Sequence, residues 1–350
     1  MMDPLEHLQM LKDSAAGIAP RKGDFKRIRA LRFTEPGFDR DTWREMCGMG
    51  WLGLRIPEDS GGSGLGAREF CSLAEELGGA LVPEPLIAAA MAAQLLPSDQ
   101  LAPVLAGERV VLPAWQETAN SIDLIGDTVL RDGKLNGRKV FIPMAAGADA
   151  FLVTVPGGLA LVERDAQGVS LETVQTQDGG NYGMLILDNA PAQAIEGDAS
   201  EALEYAIMAS SAYLFGLMDR AFNITLDYMK TREQFGRKIG AFQALQHRAV
   251  DMQIQVSLTR ATIATAANAL DTAPTLAQRQ AGVSRAKVRA SDAAMVVTRA
   301  CIQLHGGIGY TDAADIGLFL RKAMVLAPLY GPPHVHRRRF RAVAPEVADE

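Results

Sequence analysis

Cysteine is scarce in this chain: Cys47, Cys71 and Cys301 are the only three in 350 residues, they share no CxxC spacing, and three cannot all pair. That excludes a disulfide-stapled fold and a thiolate zinc ribbon, and the expectation is a reduced, cytoplasmic protein. Positive charge is also short, since 35 lysines and arginines face 41 acids for a net charge of −6. With the signs mixed along the chain, a general affinity for nucleic acid is not expected. No apolar run reaches the roughly 18 residues of a membrane span, and the alanine-rich LIAAAMAAQLL at 86–96 fits a buried helix better. The opening MMDPLEHLQMLKD carries acids and lacks an apolar h-region, so no secretory signal is expected. Neither a dinucleotide-binding glycine fingerprint nor a P-loop follows any strand-like run.

What is present divides into three textures. From 1 to about 105 the pattern is helical, with DRDTWREMCGMGWLGL (39–54) and GAREFCSLAEELGGALV (66–82) joined by the turn-rich IPEDSGGSGLG (56–66). From about 106 to 196 short β-rich runs take over at 109–115, 128–143, 149–155 and 158–165, and RDGKLNG places a hairpin turn inside the second. No long helical pattern intervenes, so an antiparallel barrel or sandwich is expected rather than a βαβ domain. From about 197 to 350 long helices return at 198–232, 242–271 and 275–305, followed by 313–327, which Pro328 stops. The fold class expected is mainly α with a central β-domain: helical 1–105, β-barrel or sandwich 106–196, helical bundle 197–350.

Several signals suggest chemistry and fall away. In HVHRRRFR (334–341) the histidines stand at i and i+2, on different sides of a helix, with no further ligands nearby, so no metal site is expected. The arginines read as a solvated or interface face. Met208, Met218, Met252 and Met295 read as bundle core. On spacing alone Arg232 is a helix-end charge, and the glycines after His305 are a helix C-cap.

Two stretches are more specific: YMKTREQFGRKIGAFQALQHRAVDM (228–252) and QLHGGIGYTDAADIGLFLRKA (303–323). With IPEDSGGSGLG…AEELG (56–78) and LNGRKVFI (135–142), in this order, they resemble the acyl-CoA dehydrogenase family over nearly the whole chain. The resemblance implies an N-terminal helical domain, a central β-domain, a C-terminal four-helix bundle, FAD as cofactor and an acyl-CoA as substrate. It further implies that Arg232 holds the FAD pyrophosphate, that Gln234, Phe235 and Gln243 line its adenine side, and that Gln303, Gly306 and Gly307 come from another protomer. A guanidinium suits the first role because it offers charge and donors in a fixed fork. The family's T-E-P loop reads Gln116-Glu117-Thr118 within WQETANSID (115–123), without the leading threonine. Its W-I-T reads Phe141-Ile142-Pro143, which keeps an aromatic face for the flavin ring and loses a hydroxyl.

In most relatives a glutamate of a Y-E-G-T segment removes the substrate α-proton while the β-hydrogen leaves to the flavin. Counting from Arg321, that position is Tyr330, followed by Gly331 and Pro332. A minority of members carry the glutamate in the first bundle helix, which here is Ala206, with Ile207 beside it. Neither position holds a carboxylate, and a phenol that titrates at about 10 is a poor base near neutrality. The resemblance to heteromeric bacterial members then implies a base-deficient subunit paired with a homologous chain, as a heterotetramer, with an electron-transfer flavoprotein as acceptor. A self-associating enzyme with an unrecognised base and a flavin-free scaffold remain open alternatives.

Overall fold

The computed structural model describes residues 4–20 and 22–344. Six helices come first: α1 (Pro4–Ala15), α2 (Lys26–Leu31), α3 (Arg40–Gly48), α4 (Ala67–Gly79), α5 (Leu86–Ala93) and α6 (Ser98–Leu105). Eight strands follow: β1 (Val111–Ala114), β2 (Val129–Arg131), β3 (Lys134–Pro143), β4 (Ala150–Val155), β5 (Gly158–Glu163), β6 (Val169–Gln175), β7 (Asn181–Pro191) and β8 (Gln193–Ile195). Then come α7 (Ser200–Thr231), the short strands β9 (Glu233–Gln234) and β10 (Arg237–Lys238), α8 (Gln243–Thr272), α9 (Leu276–His305), α10 (Ile316–Leu326) and α11 (Pro333–Val343). Two compact units result, one of residues 26–66 and 83–206, the other of 1–25, 67–82 and 207–350.

The first unit holds two four-stranded sheets, ordered β1-β4-β5-β8 and β2-β3-β7-β6. The β2–β3 hairpin turns at Asp132 and Gly133, φ 50° and 73°, a pair of left-handed residues whose twist suits a two-residue turn. One pairing departs from the antiparallel expectation: β1 runs parallel to β4. The stretch 115–149, with its own hairpin, is long enough to return the chain in the same direction. β4 is buried along its whole length, whereas β7 alternates buried and half-buried positions, as a one-faced strand does. Arg40 ties the helical part to the sheets by donating to both Asp149 oxygens at 2.9 Å, while Asp149 also accepts the Val110 amide at 2.7 Å.

The second unit is a bundle around α7, α8 and α9, each 30 to 32 residues long. These begin and end within about two residues of the sequence expectation, because their apolar periodicity is long and their ends carry stop signals. Thr275 and Gln278 form a capping box at the start of α9, and Gly306 closes its end. Helices α4 and α7 cross at glycines: a Cβ on Gly78 would lie 2.1 Å from the Tyr213 carbonyl oxygen, and one on Gly216 1.9 Å from that of Glu75. Met208, Met218 and Met252 are core, but Met295 is only half-buried. The segment after Pro332 is a further helix, α11, for which Pro333 supplies the first position.

Candidate functional site

Where α7 ends, the chain makes an exposed two-stranded ribbon with Gln234 opposite Arg237 and Glu233 opposite Lys238. Its turn is Phe235-Gly236, at φ 52° and 77°. A phenylalanine in left-handed backbone costs about 1 kcal/mol or more, and this one is 91% exposed as well. Its ring meets Phe242 edge-on at 6.2 Å within the chain. Glu233 is neutralised by Lys238 at 2.6 Å, and Arg237 lies 4.1 Å over the Phe242 ring. Arg232 is exposed and makes no side-chain hydrogen bond or ion pair among the described residues. Gln243 opens α8, whose N-cap, Phe242, offers no side-chain acceptor. A free guanidinium beside an uncapped N-terminus of a 30-residue helix is a place for an anion.

The end of α9 packs on the last turns of α7. Tyr228, one turn before Arg232, stacks on His305 at 4.3 Å and 18°, and its hydroxyl donates to the His305 carbonyl at 3.4 Å. His305 Nδ1 bonds to the Cys301 carbonyl oxygen at 2.9 Å; burial lowers the imidazole pKa despite that bond, so the ring is neutral and donates from Nδ1. Gln303, Gly306 and Gly307 are exposed just beyond the stack. Gly306 has φ 67° and ψ −148°, a conformation open in practice only to glycine, and a Cβ on either glycine would meet nothing within 4 Å. The resemblance implies that these residues meet the cofactor of another protomer, and their exposure leaves their backbone open to such a contact. Cation, uncapped helix start, exposed ring and bare backbone fit the phosphates and adenine of FAD.

Phe141 belongs to the other unit. It sits where β3 slips register against β7, at φ 57°, 40% exposed and edge-on to Tyr182 at 6.2 Å. The irregularity turns an aromatic ring out of the sheet, as an aromatic platform requires. Glu117 is structural: it accepts the Asp127 and Thr128 amides at 2.6 and 3.0 Å and the buried Lys139 Nζ at 2.8 Å. Burial works to raise the Glu117 pKa, but the bonds from Lys139, Thr128 and the two amides overcome it and hold the carboxyl at about 2. Burial lowers the Lys139 pKa in spite of Glu117.

Tyr330 lies in the turn between α10 and α11, 2% exposed and at φ 58°. Burial pushes its phenol well above the ordinary value of 10, so it stays protonated at neutral pH. At the alternative position, Ala206 and Ile207 are buried apolar side chains. The buried carboxylate Glu204 stands two positions earlier on α7, and residues two apart on a helix do not share a face. Glu84, also buried, is committed to Arg27 at 2.6 and 3.2 Å and to the Asp39 amide.

The residues beneath Tyr330 carry no motif in the sequence. Of the two histidines of HVHRRRFR only His334 is exposed; His336 is buried and donates from Nε2 to the Tyr330 carbonyl at 2.9 Å. Arg339 Nε donates to Ser284 at 2.6 Å, and Arg337 pairs with Asp292, so two of the four arginines are bound to α9. The spacing Ser284, Lys287, Ser291 on α9, one helix face at i, i+3 and i+7, was the available signal.

Residues 6–97 match the family model described as acyl-CoA dehydrogenase, N-terminal domain, and residues 197–344 match acyl-CoA dehydrogenase, C-terminal domain. The chain is 31% identical over 346 residues to acyl-CoA dehydrogenase IpdE2 of Mycobacterium tuberculosis, covering 97% of this chain and 98% of that protein. Against IpdE2 of Mycolicibacterium smegmatis the identity is 30% over 339 residues, with 96% and 98% covered. Among solved structures, the Tcur3481-Tcur3483 steroid ACAD G363A variant superposes with a TM-score of 0.88 at 31% identity over 99% of both chains. The ChsE4-ChsE5 complex from Mycobacterium tuberculosis gives 0.86 at 25% identity over 100% of both. Sequence, fold and coverage agree, and the chain belongs to the acyl-CoA dehydrogenase family, whose members are FAD flavoproteins.

Proposed function

We propose that this chain is the base-deficient subunit of a heteromeric, FAD-dependent acyl-CoA dehydrogenase that introduces an α,β double bond into a fatty or steroid side-chain acyl-CoA. The observation that carries this reading is Tyr330: the position that holds a glutamate in most relatives has a buried phenol whose pKa is raised by that burial. FAD, when bound, supplies the acceptor for the substrate hydride. In this reading Arg232 and the start of α8 hold the pyrophosphate, Gln234, Phe235 and Gln243 line the adenine, and Gln303, Gly306 and Gly307 reach the cofactor from another protomer. Phe141 offers a ring for the isoalloxazine. Tyr330 fills its site and keeps water out, and the α-proton goes to a carboxylate of the homologous chain.

Support for a partner comes from two directions. Phe235 is exposed at the ribbon tip, and Val250, Ile254 and Leu258 form an exposed apolar stripe at i, i+4 and i+8 of α8. Two solved relatives, Tcur3481-Tcur3483 and ChsE4-ChsE5, are named as pairs of chains. The segments 1–105, 106–196 and 197–350 act as the three domains of the family pattern, an electron-transfer flavoprotein is the acceptor, and the cytoplasm is the compartment. For the last, the three cysteines are buried and form no disulfide, and burial raises Cys47 and Cys301 to about 12, so neither is a reactive thiolate.

The test is expression of this chain alone and together with a homologue that carries the glutamate. The expected outcome is a stable, yellow complex whose flavin is bleached by acyl-CoA, while the chain alone turns over no substrate. Normal turnover by the chain alone overturns the reading, as does a complex that takes up no FAD.

A further inference from the structure

The 326–332 turn is held by its carbonyls. Lys287 Nζ donates to the Leu326 carbonyl at 2.9 Å, Ser291 Oγ to Ala327 at 3.2 Å, and His336 Nε2 to Tyr330 at 2.9 Å. The turn contains two left-handed residues in succession, Tyr330 at φ 58° and Gly331 at φ 99°. Left-handed backbone at a tyrosine costs roughly 1–2 kcal/mol and persists only where surrounding contacts over-determine it. Three side chains from two helices supply that over-determination.

We propose that Lys287, with Ser291 and His336, is a positioning residue that sets the backbone under Tyr330 and hence the wall of the acyl site. The assignment of Tyr330 to that wall rests on the proposed function; the clamp itself does not.

The chemistry of the clamp favours placement over packing. Lys287 is fully buried, and among the described residues its polar partner is the Leu326 carbonyl, with no carboxylate bonded to it. A lysine is an expensive residue to bury, and a methionine would fill similar space without a polar head. His336 has its tautomer fixed, because a carbonyl can only accept and Nε2 must therefore carry the proton. Nδ1 then faces the Ser284 hydroxyl at 3.5 Å, and that hydroxyl accepts from Arg339 Nε at 2.6 Å. Every donor in the chain Arg339, Ser284, His336 points toward the turn.

The clamp is also sensitive to protons. Burial lowers the Lys287 amine to about 7. The groups around it are the Leu326 carbonyl of α10, Ser284 and Ser291 one turn away on α9, and His336 of α11, whose own neighbour through Ser284 is Arg339. Arg321 of α10 is turned to Asp312, Arg289 binds Gln255 and Thr259 of α8, and Arg337 binds Asp292. Gain of a proton by Lys287 therefore adds a charge that no acid bonded to it among the described residues offsets, next to a carbonyl of the turn.

The experiment uses the full-length chain, alone and with its homologous partner, carrying 3-fluorotyrosine at its six tyrosines. Tyr330→Phe assigns the Tyr330 resonance, which fluorine NMR then follows as pH is varied. The wild-type resonance is expected to move through one transition centred near pH 7. In Lys287→Met the transition is lost and the resonance is displaced at every pH. In Lys287→Gln, which keeps a donor and cannot titrate, the resonance stays at the wild-type high-pH position without a transition. If the methionine variant does not fold, the glutamine variant carries the test. A wild-type resonance without a transition, or a variant resonance that coincides with wild type throughout, overturns the proposal. The readout needs neither flavin nor acyl-CoA, so failure to bind FAD would remove the proposed function and leave the clamp standing.

Discussion

His336 is neutral in the folded protein over the whole range in which an ordinary histidine gains its proton. Burial is the main cause of its low pKa, about 3, with the Arg339 and Lys287 charges acting in the same direction against the bond to Tyr330. The folded value lies below the unfolded 6.5, so the unfolded chain binds the proton first and stability is lost as pH falls from 6.5 toward 3. Linkage puts that loss at roughly 2.5 kcal/mol between about pH 7 and about pH 4.5. His336→Gln keeps a donor for the Tyr330 carbonyl and cannot titrate in this range. Urea unfolding at the two pH values is expected to show a smaller acid loss in the variant by that amount, and equal losses would remove His336 from the acid response. The histidine spacing in the sequence indicated only that the pair would face different sides; which one faced inward depended on where α11 lay against α9.

At the scale of elements, the α4–α7 crossing depends on missing side chains. A methyl on Gly216 would overlap the Glu75 carbonyl, which belongs to a helix backbone and cannot step aside. Gly216→Ala should therefore destabilise by about 2–3 kcal/mol, outweighing the helix propensity of alanine, worth about 1 kcal/mol. Gly282 in α9 is the control, since a Cβ there meets Ala266 and Ala269 at ordinary contact, 3.8 Å. Gly282→Ala should be neutral or stabilise by up to about 1 kcal/mol. Opposite signs in thermal or urea unfolding check the pair; a tolerated Gly216→Ala would mean the helices separate more easily than this crossing implies. Element recognition followed the same logic of local against distant information. The three long helices were legible because many turns repeat one apolar face. Strands β6 and β7 were not, since β6 is largely exposed and β7 is interrupted by glycine and asparagines, leaving little apolar alternation to read.

At the scale of the molecule, exposed apolar side chains concentrate on the bundle unit, among them the α8 stripe of Val250, Ile254 and Leu258. Burying such side chains is worth about 1.5–3 kcal/mol each, enough to decide an assembly. Ile254→Glu with Leu258→Glu is expected to dissociate the complex in analytical ultracentrifugation while leaving the helical circular dichroism unchanged. An assembly that survives both charges would place the partner on another face. Phe235, 91% exposed at the ribbon tip and edge-on to Phe242, is a further apolar group on the same unit.

The family, the helix–strand–helix order and the tyrosine and alanine at 330 and 206 are written in residue identity and spacing along the chain. Folding alone settles that Arg232 has no side-chain partner among the described residues, that Glu117 is occupied in shaping its loop, and that Lys287, Ser291 and His336 converge beneath Tyr330. Those facts depend on which polar groups meet across tens of residues, and a carbonyl oxygen that accepts a buried lysine leaves no mark in the one-dimensional pattern.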